Sequence, residues 1–177
     1  KGLKLASGDI VGFLHTDDYF SNPSVLSQIA ARFIDTKVHA VYGDLDYVTQ
    51  QEPYRVVRAW RAGNATPKKL SSGWMPPHPT LFVRRSVYQT IGGFDTRFRI
   101  SADYHSVLRM FNQPEFRAVY VPEVLTKMRV GGVSNQSAAS IIWKMIEDWR
   151  VVRDLRVGGL RMITMKNIRK IPHFLRP

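Results

Sequence analysis

The sequence contains no cysteine, and this absence excludes several classes of protein. A scaffold stapled by disulfides, a zinc ribbon and an enzyme with a cysteine nucleophile all require thiols. Long apolar runs are also missing: no stretch free of Asp, Glu, Lys and Arg is longer than 14 residues, the length of 130–143. A membrane-spanning helix needs about 20 apolar residues, so no span is expected. The opening KGLKLASGD lacks the apolar core of a signal peptide, which favours a cytoplasmic protein.

Acidic residues are scarce compared with basic ones, at 14 against 26, which gives a net charge of +12. Such a balance indicates anionic partners, namely nucleic acid, nucleotide phosphates or an acidic membrane surface. The length of 177 residues and the apolar share of 44% suit one folded domain. The motifs GxSxG, HExxH, GxxxxGK[ST] and GxGxxG are all absent. Serine hydrolase, zinc protease, P-loop and dinucleotide-binding functions therefore lose their main support.

The order of the patterned segments predicts an α/β fold. A buried strand at 10–14 is followed by a helical pattern at 25–34 and a second strand at 38–42, which is the order of a βαβ unit. Two extended segments, LDYVT and YRVVRAW, predict an antiparallel hairpin, so the sheet should be mixed but mostly parallel, with flanking helices. Further along, a helix over 86–91 should end at Gly92, and Ser101 should cap a helix that runs to about residue 111.

The C-terminal segment differs in character from the rest. Residues 138–177 hold nine basic and three acidic residues, which is half of the net charge. Apolar residues at 142, 145, 146, 149 and 152 recur at helical spacing, so this stripe is predicted to pack on the domain. We expect residues 1–135 to form the compact unit and residues 136–177 to form a basic helical extension.

Three places carry residues suited to chemistry. Asp17 and Asp18 follow an apolar strand, where two carboxylates suit Mg²⁺ or Mn²⁺ holding a diphosphate, although a strand-to-loop junction also favours Asp without any ligand. Asp103 lies in the first turn of the helix after Ser101, where the helix dipole keeps a carboxylate ionised. It suits a general base, or it serves helix stability alone. His78 is held between prolines in the loop PPHPT, as a substrate contact or as an ordinary surface histidine.

Five blocks, taken in order, resemble the family 2 glycosyltransferases, which have the GT-A fold. The resemblance covers about residues 1–135 and is closest to non-processive bacterial and archaeal members. The blocks are ASGDIVGFLHTDDYF, AVYGDLDYV, PPHPTLFVRRSVYQTIGGFDTRF, ISADYHSVLRMF and VPEVLTKMRVGGVSN.

The resemblance implies roles for particular residues. It places Asp17 and Asp18 in the DXD-type motif that binds the divalent metal and the donor diphosphate, with His15 departing from the family's usual Asp or Asn. It makes Asp103 the general base and places His78 near the bound substrate. The implied reaction is a single inverting transfer of one sugar from a nucleotide-sugar donor to a glycan or lipid-linked acceptor, with Mn²⁺ or Mg²⁺ as cofactor. The QxxRW motif of processive members is absent from the sequence.

The family's first βα units, roughly 70–80 residues at typical βα lengths, have no counterpart before KGLKLASGD. The resemblance therefore implies an N-terminally truncated GT-A domain, which is inactive alone if the donor pocket needs the missing units. A non-catalytic relic of the same fold is one alternative. A basic module that binds nucleic acid or membrane is another, although no nucleic-acid-binding signature accompanies the charge. The basic, apolar C-terminal segment suits peripheral binding at the inner face of the cell membrane.

Overall fold

A computed structural model describes residues 2–130 and 138–168 of the chain, which form one sheet with helices on both faces. The strands are β1 (Ile10–Val11), β2 (Asp18–Phe20), β3 (Ala40–Val48), β4 (Val56–Trp60), β5 (Phe82–Arg84) and β6 (Ala118–Arg129). The helices are α1 (Gly2–Leu5), α2 (Val25–Arg32), α3 (Pro67–Leu70), α4 (Arg85–Ile91), α5 (Ala102–Phe111), α6 (Ala138–Asp154) and α7 (Leu160–Ile168). A 3₁₀ turn, His78–Thr80, precedes β5.

The sheet is mixed, with strand order β1-β5-β3-β6-β2 and with β4 paired to β3. Among the described strands, β3 and β6 form the one parallel pair, and the other neighbours are antiparallel. The expected predominance of parallel pairs is therefore absent from this part of the chain. The physical reason is that β5 lies between β1 and β3 and runs opposite to both, so β1 and β3 share a direction without being neighbours.

Alternation along the central strands divides the core into two layers. On β3, Val41 faces α2, where it joins Val25, Ile29 and Phe33. Tyr42, the next residue, faces the opposite layer, which includes side chains of α4 and α5. Side chains of successive strand residues point to opposite faces, so both faces of β3 are buried. The α/β architecture predicted from the sequence is confirmed.

Several local predictions agree with the structure. The hairpin forms from β3 and β4, which pair antiparallel between Leu45 and Trp60. Helix α4 ends at Gly92, whose φ of 74° lies in the left-handed region that glycine tolerates best. Ser101 is the residue before α5, but its side chain makes no capping hydrogen bond. The loop predicted at 130–135 lies almost entirely outside the described residues.

Helices α6 and α7 pack on α5 through a third cluster, in which Val151 and Val152 contact Tyr104 and Leu108. The predicted packing stripe on α6 is wrong. Val152 is 2% exposed, but the other members of the stripe face outward: Ile142 is 58% exposed, Met145 48%, Ile146 38% and Trp149 41%. The helix turns its acidic residues Glu147 and Asp148 inward instead, because they find hydrogen-bond donors next to α5. The predicted boundary at residue 135 lies outside the described residues.

No helix among the described residues has the length and hydropathy that crossing a membrane requires.

Candidate functional site

The segments that carry the sequence-predicted residues meet at one end of the sheet. Strands β1 and β5 pair antiparallel, with Val11 opposite Val83, so the loop that leaves β1 lies beside the 3₁₀ turn that enters β5. Phe13 from the loop stacks on His78 from the turn, with ring centroids 5.6 Å apart. Residues separated by more than sixty positions along the chain are therefore in direct contact.

The two adjacent acids have different environments. Asp17 is exposed, whereas Asp18 begins β2 and is 8% exposed. The Asp18 amide donates a hydrogen bond to the carbonyl of His15, at 3.0 Å, which closes a tight turn around Asp17. The Oδ2 atom of Asp18 is buried and accepts no hydrogen bond from the described residues. Burial raises the pKa of Asp18, the Asp17 carboxylate raises this pKa further, and His15 and Arg129 lower it.

This pair fits a divalent cation. A buried carboxylate oxygen without a hydrogen-bond donor is an unfavourable group unless something else compensates it. Hard cations such as Mg²⁺ and Mn²⁺ prefer carboxylate oxygens as ligands. Asp18 offers such an oxygen, and Asp17 presents a second carboxylate to solvent beside it.

Arg129 is a site residue that the sequence reasoning missed. Its guanidinium lies over the neighbouring rings of Tyr19 and Tyr54, at 5.3 and 5.0 Å from their centroids. The two Nη atoms donate hydrogen bonds to the carbonyl of Asp17, at 2.9 Å, and to the Tyr54 hydroxyl, at 2.8 Å. Arg129 thus places a fixed positive charge beside the acid pair. Its location in the block VPEVLTKMRVGGVSN could have indicated a role at the site, but no neighbouring residue in the sequence distinguishes Arg129 from the other basic residues.

His78 is held by both its own turn and its aromatic neighbours. The Thr80 hydroxyl hydrogen-bonds to the backbone of Gly43, and the Thr126 hydroxyl donates to the carbonyl of Pro79, so the turn is tied to β3 and β6. Phe94 meets the imidazole edge to face at 6.0 Å. The Nδ1 atom is buried without a hydrogen-bond partner in the described part of the chain.

Asp103 and His15 both act on the pKa of His78. Burial lowers the pKa of His78, the negative charge of Asp103 partly offsets this, and His15 lowers the pKa further. The imidazole is therefore neutral at pH 7, so each of its nitrogens can serve a polar ligand as either donor or acceptor. His15, in turn, acts on the charge of Asp18. His15 thus acts on both His78 and Asp18, and Asp103 acts on His78.

Asp103 lies in the first turn of α5 and is half-buried. One carboxylate oxygen, Oδ1, accepts a hydrogen bond from the amide of Tyr104 at 2.7 Å. Asp103 thus has one oxygen engaged by the backbone, and Oδ2 forms no hydrogen bond with the described residues. Such a carboxylate suits proton abstraction from a hydroxyl group that approaches the same end of the sheet.

A second group of ionisable residues lies elsewhere, on the α5–α6 side of the molecule. One ligand atom from each of Asp95, His105 and Asp154 lies within 4.8 Å of the others. However, the Nη2 atom of Arg97 lies 2.7 Å from Asp95 and 3.2 Å from Asp154, so a guanidinium already neutralises these acids. The hydrogen bonds from Arg97 lower the pKa of Asp95 to about 2. A cation there would have to displace Arg97, whereas no described residue donates a hydrogen bond to Oδ2 of Asp18.

Asp44 and Asp46, in the block AVYGDLDYV, have structural partners. Asp44 Oδ1 accepts hydrogen bonds from the amide of Ala62, at 2.9 Å, and from the Tyr120 hydroxyl, at 2.7 Å. Asp46 forms a 2.6 Å ion pair with Arg61. These acids fix the segment after β4 to the sheet.

Comparison with known proteins gives relatives in sequence and neighbours in fold. No family model matches the chain. A PGL/p-HBAD biosynthesis glycosyltransferase of Mycobacterium bovis is 29% identical over 138 residues, which are 76% of this chain and 51% of the relative. An uncharacterized glycosyltransferase of Mycobacterium tuberculosis is 33% identical over 118 residues, which are 62% of this chain and 41% of the relative. The chain thus spans about half the length, or less, of these curated relatives.

Two solved structures share the fold. TarS of S. aureus, in complex with UDP-GlcNAc, superposes with a TM-score of 0.58 at 15% identity, covering 98% of this chain and 49% of TarS. A mannosyltransferase from Pyrobaculum calidifontis, in complex with GDP-Man and Mn²⁺, gives a TM-score of 0.53 at 16% identity, covering 95% and 46%. The arrangement of strands and helices described above is therefore that of these proteins.

Proposed function

We propose that this chain, a relative of named glycosyltransferases that shares the GT-A fold, forms the catalytic part of an enzyme that transfers one sugar from a nucleotide-sugar donor. The observation that carries the proposal is the contact of His78 with Phe13, which lies in the loop that leads from β1 to Asp17 and Asp18. In open α/β sheets ligands bind where the strands end, and the charge of Asp103 acts on His78 at this place.

The reaction is an inverting displacement at the anomeric carbon. Asp103 accepts the proton of an acceptor hydroxyl, the oxygen forms a bond to the anomeric carbon, and the bond from that carbon to the diphosphate oxygen breaks. One carboxylate is sufficient, because a nucleoside diphosphate is a better leaving group than the alcohol for which a glycosidase needs a second acid. The half-buried position of Asp103, with one oxygen held by the Tyr104 amide, supports this role.

Asp17 and Asp18 would hold a divalent metal, either Mn²⁺ or Mg²⁺. When bound, such a metal neutralises charge that develops on the diphosphate. The unpartnered Oδ2 atom of Asp18 supports this assignment, as does the Mn²⁺ complex of the Pyrobaculum mannosyltransferase. The guanidinium of Arg129, fixed beside the acid pair, adds a positive charge for the same diphosphate. Asp17 and His78 would contact the donor.

The acceptor is a glycan or a lipid-linked glycan that receives a single sugar, and the enzyme works at the cytoplasmic face of a membrane. The outward face of α6 supports this location. It presents Trp143 and Trp149 with the apolar residues around them, and Arg150 and Arg153 are exposed nearby. Tryptophan and basic side chains together favour the interface of an anionic bilayer.

Co-sedimentation with vesicles tests this location. The double variant Trp143→Ser/Trp149→Ser should lose binding to phosphatidylglycerol vesicles, and neither form should bind neutral vesicles. Leu5→Ser/Ile34→Ser removes two side chains that are 84% and 82% exposed elsewhere, so it serves as the matched control and should bind like the wild type. If all three proteins sediment equally with the vesicles, the proposal that α6 binds the membrane is wrong.

Release of nucleoside diphosphate from a panel of nucleotide sugars tests the function itself. The product of the complete reading frame is assayed with Mn²⁺ or Mg²⁺ and after chelation with EDTA. Metal-dependent release with at least one donor is expected. If no donor of a broad panel gives nucleoside diphosphate release, the result would favour a non-catalytic relic of the fold. Salt-sensitive binding to random DNA without any response to nucleotide sugars would favour a nucleic-acid-binding module.

A further inference from the structure

All three acidic residues of the segment 138–177 point toward α5, the helix that carries Asp103. Glu147 and Asp148 contact the residues just before α5, and Asp154 lies 3.5 Å from the Nε2 atom of His105 within it. In contrast, Arg150 and Arg153, two basic residues of α6, are exposed to solvent. Because its acidic side chains face α5, helix α6 buries part of its polar face and exposes its apolar stripe.

Glu147 is the central contact of this group. Its Oε1 atom accepts a hydrogen bond from the amide of Arg99 at 3.0 Å. Its Oε2 atom accepts two more, from the amides of Ile100 at 2.7 Å and Ser101 at 2.8 Å. The side chain is buried, so this carboxylate is enclosed with three consecutive backbone N–H groups. Hydrogen bonds to a charged acceptor are about twice as strong as neutral ones, so the three together hold this stretch of backbone firmly.

The side chain of Ser101 also binds α6. Its hydroxyl donates to Asp148 Oδ1 at 2.8 Å, so the side chain that would normally cap α5 is turned toward α6. The same Asp148 atom lies 2.8 Å from the ammonium of Lys166 on α7. That ammonium in turn lies 3.1 Å from the ring centroid of Tyr104, the residue after Asp103. The first turn of α5 is thus held from both of the C-terminal helices.

We propose that Glu147 is a positioning residue for Asp103: it fixes the backbone at 99–101 and with it the first turn of α5, which carries the Asp103 carboxylate. The inference rests on the proposed function, because it assumes that Asp103 is the base. Glu147 touches neither substrate nor reacting atoms and acts only through the three amides. Small displacements of a catalytic group are costly, since a shift of about 1 Å can lower a rate by roughly 100-fold.

Glu147→Gln is the informative variant. Glutamine keeps the size of the side chain but has one acceptor oxygen instead of two and carries no charge. At least one of the three amides then loses its partner, and the start of α5 shifts. We expect kcat to fall by about 10- to 100-fold while the KM for the nucleotide sugar stays within about twofold, because the donor site at Asp17, Asp18 and Arg129 is unaffected.

Two controls separate positioning from general destabilisation. Glu123→Gln makes the same replacement at an exposed position on β6 and should leave both constants unchanged. Val152→Ala removes a buried side chain from the contact between α6 and α5, so it lowers the melting temperature without touching the amides at 99–101. Assayed well below its melting temperature, Val152→Ala should keep the wild-type kcat.

The outcomes distinguish the inference from the proposed function. If the wild type shows no turnover with any donor, the proposed function fails and the inference fails with it. If the wild type turns over and Glu147→Gln matches it in kcat, Glu147 is not a positioning residue and the proposed function stands. If Val152→Ala loses kcat as strongly as Glu147→Gln, the effect is one of stability and the inference is overturned.

Discussion

The ammonium of Lys166 lies 2.8 Å from Oδ1 of Asp148, and the two side chains are only 3% and 1% exposed. Both residues come from the basic C-terminal segment, on helices α7 and α6, and Asp148 also accepts a hydrogen bond from Ser101. The C-terminal helices therefore connect to the segment that carries Asp103 through a buried ion pair as well as through apolar contacts.

Breaking this ion pair should destabilise the fold strongly. Removing one partner of a buried pair leaves an uncompensated charge, which typically costs about 3–5 kcal/mol of unfolding free energy. We expect Asp148→Asn to cause a loss of this order in urea unfolding. The double variant Asp148→Asn/Lys166→Met removes both charges and should be more stable than Asp148→Asn alone. A double variant that shows the full sum of the two single losses would mean that the residues do not interact.

The burial of His78 predicts a dependence of stability on pH. Because burial lowers the pKa of His78 in the folded chain, the unfolded chain binds a proton first, near its ordinary value of about 6.5. The contribution of this group is thus fully present above that pH and is lost as the pH falls toward the lowered folded pKa. His105, whose pKa burial also lowers, contributes in the same direction.

The variant His78→Phe isolates the contribution of His78. Phenylalanine retains the stacking on Phe13 and cannot take up a proton, so the melting temperature between pH 7 and pH 5 should fall less steeply than in the wild type. His105 provides the remaining slope. An unchanged slope in the His78→Phe protein would show that the imidazole titrates alike in the folded and unfolded chains.

The acid pair predicts a specific metal dependence. Asp17→Asn and Asp18→Asn should each raise the Mn²⁺ concentration for half-maximal turnover by more than about tenfold, because even the loss of an outer partner of a metal site costs roughly 10–100-fold in affinity. Asp9→Asn alters an exposed acid just upstream and is the matched control. If the Mn²⁺ concentration for half-maximal turnover is the same for all four proteins, Asp17 and Asp18 are not metal ligands.

Local patterns predicted most of the helices and strands, because capping residues, glycines and apolar alternation act within a few positions. Helix α4 with its stop at Gly92 and the hairpin of β3 and β4 are examples. The outward apolar stripe of α6 could not be predicted in this way. Periodicity shows that a helix has an apolar face, but it does not show which face contacts the domain. The orientation of α6 is set by hydrogen bonds from the three amides at 99–101 to Glu147, and these amides are more than forty residues away in the chain.

The predicted site residues also divide into those that local motifs indicate and those that they do not. The order of the motifs indicated Asp17, Asp18, His78 and Asp103. The pairing of β1 with β5 brings the loop that leads to Asp17 and Asp18 against the turn that carries His78. The sequence did not predict roles for Arg129 and Glu147, because those roles depend on contacts with residues that are distant in the chain. Arg129 is one of 26 basic residues, and its contacts with Tyr19, Tyr54 and the carbonyl of Asp17 distinguish it only in the folded chain.

The comparison of the wild type with Asp103→Asn tests the central claim most directly. In the product of the complete reading frame, with Mn²⁺ and a saturating nucleotide sugar, the rate of nucleoside diphosphate release should fall by about 10²–10⁴-fold in the variant. Donor binding and the melting temperature should remain near those of the wild type, because Asn keeps the shape and an oxygen for the Tyr104 amide. Release at the wild-type rate from Asp103→Asn would contradict the assignment of the base, and with it the mechanism.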